Sequence, residues 1–337
     1  MSYIDLHCDT LMMFAGDGGN LYENKMSVDI ARLRKGNCLA QFFAVWMPDG
    51  DGRRELEEKG VCKDLSGELT DTEWDDAYIG RLLRSLAETC AEHGDEISLA
   101  LSMKDLRDNE AAGRMSAFLT LEDGRAVRGD MERLKYFYDK GVRLITLTWN
   151  YDNCFGRANY RDEAFGSRGS GLTDFGKEAV CYMNELGMMV DVSHLSDEGF
   201  YDVAAVSRKP FVASHSNART LSFCSRNLSD DMIRLLAQKG GVTGLNFAPG
   251  FLAEDFNSKD SRISRMAAHA KHIVNCGGEE VLALGSDLDG IEGNLEIASP
   301  DQMGLLWEAL RHAGFSERQI ELVARKNAER VMEDILG

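Results

Sequence analysis

Eight short apolar runs, with helix-like stretches between them, constrain the fold of this sequence more than any other feature. Each run is mostly apolar and does not alternate with polar residues, which is typical of strands covered on both faces. The runs are Tyr3–Asp9, Cys38–Trp46, Ala117–Glu122, Leu144–Thr148, Met188–Asp191, Phe211–Ser214, Val242–Phe247 and Val281–Ser286. A further run, Ile97–Met103, is an extra or alternative strand.

Helical patterns fill the intervals between these runs. Apolar residues recur at helical spacing in Thr173–Glu185, Ser196–Val206, Ser229–Gln238 and Ser316–Leu336. Thr173 is an N-cap candidate for the first of them. Strands that alternate with helices predict a parallel α/β sheet, and eight of them without a long linker favour a closed barrel over an open sheet. We therefore predict a single (β/α)8 TIM-type domain over residues 1–337.

Two polar segments interrupt the alternation. Residues 47–90 predict an insertion after the second strand, because Met47–Ala77 is polar and charged and a helical pattern follows around Asp71–Cys90. The glycine- and arginine-containing segment Asn150–Gly171 predicts a long loop over the site.

The overall charge excludes several classes of partner. Acidic residues number 56 against 38 lysines and arginines, which gives a net charge of −18. Such a surface repels phosphate backbones and anionic lipids, so we expect neither nucleic-acid nor membrane binding. The eight cysteines form no Cys-x-x-Cys pair, and we predict free thiols in a reducing compartment. No signal peptide or membrane span is evident in the sequence, so we expect a cytoplasmic protein.

Residue types that bind metals stand at the ends of five predicted strands. They are, in chain order, His7 and Asp9, Glu122, His194, His215 and Asp287. Enzymes with this fold place their active sites at the C-terminal ends of the strands, so we expect these side chains to converge. A single His-x-Asp pair is weak evidence, but five strands with such endings favour one shared metal site over five unrelated structural roles.

This set of ligands is large enough for two metal ions. Imidazole nitrogens and carboxylate oxygens suit Zn²⁺, and one catalytic zinc takes three protein ligands, so two ions fit if one carboxylate bridges them. Mn²⁺ or Co²⁺ would suit the same ligands. Around His269 and His272 we expect an ordinary helix without metal. Asp287 is a better site candidate than Asp289, which with Gly290 is typical of a turn.

Seven motifs in this order resemble the membrane dipeptidase (renal dipeptidase) family of zinc metallopeptidases. They are Asp5-Leu-His-Cys-Asp-Thr, Leu121-Glu-Asp-Gly, Leu147-Thr-Trp-Asn, Val192-Ser-His, Ala213-Ser-His-Ser, Ser225-Arg-Asn and Gly285-Ser-Asp-Leu-Asp-Gly. The resemblance runs from His7 to near the C-terminus and is to a bacterial-type cytoplasmic member. It implies a barrel with two Zn²⁺ ions and a homodimer.

The resemblance also implies a role for each candidate ligand. His7 and Asp9 would hold one zinc ion, His194 and His215 the other, and Glu122 would bridge them.

Residues around the metals acquire roles in the same way. The resemblance implies that Asp287 is the catalytic acid and base, and that Arg226 grips the terminal carboxylate of the substrate. From the residues alone, Arg226 is not distinguished from Arg219. The family's well-studied members have a histidine at the position of Trp149, where it helps to hold the scissile carbonyl oxygen. Asn150 offers a replacement hydrogen-bond donor and is a candidate substrate-binding residue.

The expected function is hydrolysis of the amide bond of dipeptides by a metal-bridging hydroxide. Whether the substrates include dipeptides with a C-terminal D-residue stays open from the sequence. The alternative enzymatic function is another amidohydrolase-type reaction, such as deacylation of an N-acyl amino acid. A non-enzymatic scaffold is the other alternative, and the presence of all five candidate metal ligands argues against it.

Overall fold

Parallel strands form the centre of the molecule in this computed structural model, which describes residues 1–15, 21–58, 62, 65, 69–159 and 171–337. The strands are β1 (Tyr3–Cys8), β2 (Cys38–Trp46), β3 (Ile97–Leu99), β4 (Met115–Glu122), β5 (Val142–Thr146), β6 (Met189–Asp191), β7 (Val212–Ala213), β8 (Val242–Leu245), β9 (Asp260–Ser261), β10 (Leu282–Leu284) and β11 (Asn294–Leu295). Eight of them, all except β3, β9 and β11, coincide with the eight predicted apolar runs.

These eight strands close into a barrel. Their order around it is β2-β1-β10-β8-β7-β6-β5-β4, and the circle closes because β2 pairs with β4 as well as with β1. The β2–β4 register runs from Ala40 opposite Ser116 to Trp46 opposite Glu122. The predicted closed (β/α)8 barrel is thereby confirmed. β3 pairs only with the beginning of β4, and β9 pairs with β11 in a separate small sheet.

Apolar side chains fill the barrel and close one of its ends. One buried cluster contains a side chain from every barrel strand, so it occupies the interior. Several of its members stand at the beginnings of their strands, and Val331, Met332 and Ile335 of the C-terminal helix pack against them. The N-terminal end of the barrel is therefore plugged, which leaves the C-terminal end for a site.

Helices surround the strands, and many of them begin at a side-chain cap. They are α1 (Ile30–Lys35), α2 (Gly50–Glu58), α3 (Asp71–Glu92), α4 (Met103–Ala111), α5 (Met131–Asp139), α6 (Asp174–Leu186), α7 (Asp197–Val206), α8 (Asp230–Gln238), α9 (Pro249–Leu252), α10 (Ile263–Gly277), α11 (Gly304–His312), α12 (Glu317–Glu321) and α13 (Asn327–Leu336). Thr173 caps α6 as predicted, because its side chain accepts a hydrogen bond from the backbone N–H of Gly176. The predicted helix Ser316–Leu336 consists of α12 and α13 joined by a π-helical turn at Leu322–Lys326.

The polar segment after β2 contains two helices. The predicted helix around Asp71–Cys90 is α3, which begins at a capping box formed by Thr70 and Glu73. α2 was not predicted, because its glycine-rich, charged sequence has no apolar stripe. In the predicted loop Asn150–Gly171 no helix or long strand occurs over 150–159 and 171, and residues 160–170 lie outside the described residues.

The eight cysteines have free thiols, as predicted. Among the described residues, no helix combines the length and the apolar character needed to cross a membrane.

Candidate metal centre and substrate pocket

The structure brings the predicted metal-binding side chains together at the C-terminal end of the barrel. His7 lies within β1, Asp9 follows it, and Glu122 is the last residue of β4. His194, His215 and Asp287 follow β6, β7 and β10 by two or three residues. The six belong to five strands, and all six residues are buried.

Glu122 stands at the centre of this group. Its Oε1 lies 3.1 Å from Nε2 of His194, 3.6 Å from Nε2 of His215 and 3.9 Å from Nε2 of His7. Nε2 of His7 lies 3.3 Å from Oδ2 of Asp9. Two sets of three donors therefore share Glu122: His7, Asp9 and Glu122 form one, and Glu122, His194 and His215 form the other. Within each set the donor atoms lie within 4.8 Å of one another.

The chemistry of this cluster fits divalent cations. Oδ1 of Asp9 and both ring nitrogens of His7 are buried without a hydrogen-bond partner among the described residues, which costs free energy unless a ligand satisfies them. Burial and the charge of Asp9 raise the pKa of Glu122 well above its usual range. Burial lowers the pKa of His7, but Asp9, Glu122 and Asp287 outweigh it and raise this pKa to about 10. A cation among these carboxylates would reduce the repulsion between them and bind the atoms that lack a hydrogen-bond partner.

Backbone conformation positions two of the side chains. His194 and Asp287 have φ angles of 67° and 63°, in the left-handed region that residues other than glycine seldom adopt. Such conformations persist where surrounding contacts fix them, and they concentrate at functional sites. Gly290 lies against the cluster, since a Cβ at this position would stand 2.0 Å from Oδ2 of Asp9 and 2.6 Å from Oδ1 of Asp287. A glycine at position 290 therefore allows the backbone to approach the carboxylates of Asp9 and Asp287 closely. From the sequence, Gly290 was predicted only to form a turn.

A buried hydrogen-bond chain orients His215. Its Nδ1 lies 2.7 Å from Oγ of Ser214, and this hydroxyl donates to Oδ2 of Asp191 over 2.5 Å. Thr146 donates to the same carboxylate oxygen over 2.7 Å. With Nδ1 engaged, Nε2 of His215 faces Glu122, which is how metal-binding histidines are usually held. Sequence reasoning missed Asp191, although a charged residue in a predicted buried strand was a signal for it.

Asn150 orients His194 as Ser214 orients His215, by contacting Nδ1 of the imidazole. Its Oδ1 lies 3.1 Å from Nδ1 of His194, so the imidazole donates through Nδ1 and turns Nε2 toward Glu122. The side-chain amide nitrogen of Asn150 is left as a donor. Asn150 thus contacts a candidate metal ligand directly, in addition to the substrate role predicted for it.

Asp287 adjoins the cluster on the side of β8. Oδ1 lies 3.8 Å from Nε2 of His7, and Oδ2 accepts a hydrogen bond from Nδ2 of Asn246 over 2.8 Å. Burial raises the pKa of Asp287 to about 7, while charged His7 and the bond from Asn246 act in the opposite direction. A carboxyl group with a pKa near neutrality exchanges a proton readily at physiological pH. Sequence reasoning did not find Asn246, which directly follows β8 and lies within the predicted apolar run Val242–Phe247.

Arg226 is a buried cation beside these residues. Its Nη1 donates to Oγ of Ser216 over 3.2 Å, and its Nε has no hydrogen-bond partner in the part of the chain that the structure describes. Among the described residues no carboxylate lies within ion-pair distance of it, and burial lowers its pKa. Arg219, by contrast, forms two hydrogen bonds with the carboxylate of Asp197, of 2.6 and 2.7 Å. The structure thereby separates the two arginines that the sequence alone left equivalent.

A cavity of about 600 Å³ opens above the cluster. Asp9, Glu122, His194 and Asp287 lie at its floor, and aromatic rings form part of its walls. The aromatic residues are Trp46, Trp149, Phe251 and Phe256. The rings of Trp46 and Trp149 meet edge to face, with centroids 5.1 Å apart. The cavity has the size and mixed character of a small-molecule site.

Comparisons with known proteins agree with this geometry. The sequence model of the membrane dipeptidase family (peptidase family M19) matches residues 1–336. An uncharacterized dipeptidase of Schizosaccharomyces pombe is 30% identical over 326 residues, which cover 92% of this chain and 73% of that one. An uncharacterized protein from the pqqA 5′ region of Klebsiella pneumoniae is 31% identical over 255 residues, covering 75% and 94% of the two chains.

A solved structure shares the fold over its full length. It is a metallopeptidase from Rhodobacter sphaeroides, liganded with a phosphinate mimic of the dipeptide L-Ala-D-Ala. It superposes with a TM-score of 0.88 at 25% identity, covering 99% of each chain. A family match over practically the whole chain, together with this fold and a cluster of metal-binding side chains, leads to one conclusion. The chain belongs to the membrane dipeptidase family, peptidase family M19, and is a metallopeptidase that hydrolyses peptide bonds.

Proposed function

We propose that the chain is a dipeptidase whose centre holds two Zn²⁺ ions. His7 and Asp9 would hold one ion, His194 and His215 the other, and Glu122 would bridge them. The observation that carries this proposal is the position of Glu122, whose Oε1 lies within 3.1 to 3.9 Å of three imidazole nitrogens. Histidine and carboxylate ligands without cysteine suit a catalytic zinc site.

When bound, two such ions supply an activated water at neutral pH and polarise the scissile carbonyl. Proton transfer is the task of Asp287. Its carboxyl group, which lies beside the cluster, accepts the proton of the attacking water and returns it to the nitrogen of the leaving amine. Asn246 fixes the direction of this carboxyl group by donating to Oδ2.

Arg226 limits the substrate on the C-terminal side of the scissile bond. A buried guanidinium whose Nε lacks a partner is suited to bind a free carboxylate through two parallel hydrogen bonds. A substrate held there by its C-terminal carboxylate places its last peptide bond near the cluster. This arrangement favours cleavage of the last peptide bond of a substrate, which in a dipeptide is its single peptide bond.

Asn150 and Trp149 shape the site around the scissile carbonyl. Asn150 uses its oxygen to hold His194, and its amide nitrogen is available to donate to the carbonyl oxygen of the substrate. Trp149 lines the cavity and offers an apolar face where family members have a histidine. We therefore assign the hydrogen bond to Asn150 and side-chain packing to Trp149.

We further propose that dipeptides with a C-terminal D-residue are among the substrates. The related metallopeptidase from Rhodobacter sphaeroides was solved with a mimic of L-Ala-D-Ala, which supports this proposal. N-acyl amino acids are the second candidate class, because they also end in a free carboxylate that Arg226 can bind.

The test is metal analysis of the purified protein, followed by turnover of L,L-dipeptides, L,D-dipeptides and N-acyl amino acids. We expect two zinc ions per chain and turnover of dipeptides in preference to N-acyl amino acids. Faster turnover of the N-acyl compounds would support the alternative reaction. Manganese or cobalt in the purified protein would replace zinc in the proposal, and a protein without bound metal would reject the binuclear centre.

A further inference from the structure

Three metal-binding side chains of different kinds meet between α8 and α10. They are Asp230, His272 and Cys276, and one donor atom of each lies within 4.8 Å of the others. None of the three lines the cavity above Glu122. From this arrangement we propose a second, separate metal site that binds a borderline-soft divalent cation such as Zn²⁺ or Co²⁺.

Helix geometry brings the three donors to one point. His272 and Cys276 stand four residues apart on α10 and so lie on the same face. Asp230 is the first residue of α8, which packs against α10. His269, although it shares that face, bonds to Leu252 through Nε2 and is not part of the group. His272 thus has one partner a turn further along α10, Cys276, and one on α8, Asp230. The sequence could not indicate that Asp230 lies beside the other two.

The distances approach those of a zinc site. Nε2 of His272 lies 2.7 Å from Oδ1 of Asp230 and 3.4 Å from Sγ of Cys276. Tetrahedral zinc with ordinary bond lengths separates such ligand atoms by about 3.3–3.6 Å. The nitrogen-to-sulfur distance therefore already fits, and the nitrogen-to-oxygen distance needs to widen by about 0.6 Å. His272 and Asp230 are 22% and 30% exposed, so water can complete the coordination.

Binding of a cation at this point would displace one proton. Without a cation, Nε2 of His272 donates to the carboxylate of Asp230, and the thiol of Cys276 can donate to the same carboxylate. The bond from His272 keeps the pKa of Asp230 below its usual range, so this group is already a carboxylate. Binding a divalent cation would move the imidazole proton to Nδ1 and release the thiol proton of Cys276. One proton leaves for each ion that binds.

Cobalt distinguishes this site from the barrel centre, because none of the six residues at that centre is a cysteine. We would titrate metal-free protein with Co²⁺ and follow the near-ultraviolet band that arises only from thiolate-to-cobalt charge transfer. Because the barrel ligands also take up Co²⁺ without giving this band, the expected result is a band whose final intensity corresponds to one cobalt–thiolate centre per chain. Cys276→Ser should abolish the band, and His272→Gln should weaken cobalt binding at this site by at least about tenfold.

Cys181→Ser is the matched control, since Cys181 is also partly exposed but lies on α6 beside Val206. This variant should keep the band. Cys276→Ser should bind one Zn²⁺ fewer than the wild type in equilibrium dialysis and keep its dipeptidase activity. Absence of the band at saturating Co²⁺, or its persistence in Cys276→Ser, would overturn the proposal and leave a hydrogen-bonded trio without metal.

Discussion

Nδ2 of Asn246 donates a hydrogen bond of 2.8 Å to Oδ2 of Asp287, and the same nitrogen lies 3.1 Å from the carbonyl oxygen of His215. One buried amide thus links the proposed acid and base to the strand end that carries a proposed metal ligand. Oδ1 of Asn246 accepts from the backbone N–H of Ala248, so the amide orientation is fixed from both ends. The position of Asp287 depends on this residue.

Replacing Asp287 with Asn should remove proton transfer and leave the metals in place. We expect kcat to fall by about 10²–10⁴-fold, the usual contribution of a positioned acid or base. Turnover of a dipeptide and metal content of the same sample are the measurements. Glu292→Gln is the matched control, because it also replaces a carboxylate by an amide, but at a residue of the cavity wall. This variant should keep near-normal turnover. Near-normal kcat in Asp287→Asn with full metal content would remove Asp287 from the mechanism.

Replacing Asn246 with Ala should leave Asp287 present but poorly held. Because loss of a supporting hydrogen bond typically reduces activity by about 10–100-fold, we expect kcat to fall by that factor with KM little changed. Steady-state kinetics separate the two constants, and circular dichroism checks that the variant folds. An increase in KM alone would contradict a positioning role.

Replacing Arg226 with Met should abolish recognition of the substrate's carboxylate. We expect KM for a dipeptide to rise by about 10–100-fold, as for a lost hydrogen bond to a charged group. The sharper measurement compares each dipeptide with its C-terminal amide. The wild-type enzyme should strongly prefer the dipeptide with a free C-terminal carboxylate over its amide, and the Arg226→Met variant should show no such preference. Arg219→Lys is the control, since Arg219 pairs with Asp197 and the preference should survive. Equal discrimination in Arg226→Met and wild type would reject the assigned role.

Replacing Gly290 with Ala should disturb the metal centre by steric contact. The added methyl group would stand 2.0 Å from Oδ2 of Asp9, so this carboxylate must move. We expect a lower metal content and a matching loss of activity in a folded protein. Gly304→Ala, where a Cβ meets no atom within 4 Å, should behave as the wild type. Full metal content in Gly290→Ala would show that the site tolerates the shift.

Stability should fall in acid because of His269. Burial lowers the pKa of this imidazole to about 4, with Nδ1 accepting from the N–H of Ala218 and Nε2 donating to the carbonyl oxygen of Leu252. The unfolded chain therefore takes up the proton first, near pH 6.5. The stability gained from neutral His269 is complete above about pH 6.5 and is lost as the pH falls toward 4. The full loss is about 3 kcal/mol.

Unfolding free energies of wild type and His269→Gln between pH 4 and 7 test this. Other titrating groups contribute equally to both proteins and cancel in the difference. We expect the advantage of the wild type to shrink as the pH falls. Parallel curves would mean that the pKa of His269 is the same in the folded and unfolded states, which would contradict the lowered pKa.

Much of the barrel was predictable because each strand can be recognised from its own residues. A strand buried on both faces needs a continuous apolar run, and the eight runs coincide with the eight barrel strands. The glycine-rich helix α2 was not predicted, because its sequence has no apolar spacing, although Asp49 caps it by accepting a hydrogen bond from the N–H of Gly52. Its contacts with the rest of the chain, and not its own pattern, select its conformation.

The sequence by itself determined the strand endings, and with them which side chains reach the mouth of the barrel. In a parallel barrel, any residue directly after a strand is brought to the same end, so a linear pattern was sufficient for His7, Asp9, Glu122, His194 and His215. It could not separate Arg226 from Arg219. Only the folded chain gives Arg219 a carboxylate partner and buries Arg226 where none of the described carboxylates pairs with it. Spacing along the chain determines to which end of the barrel a side chain is brought. Whether a charged side chain finds a partner depends instead on which distant residues the fold brings into contact with it.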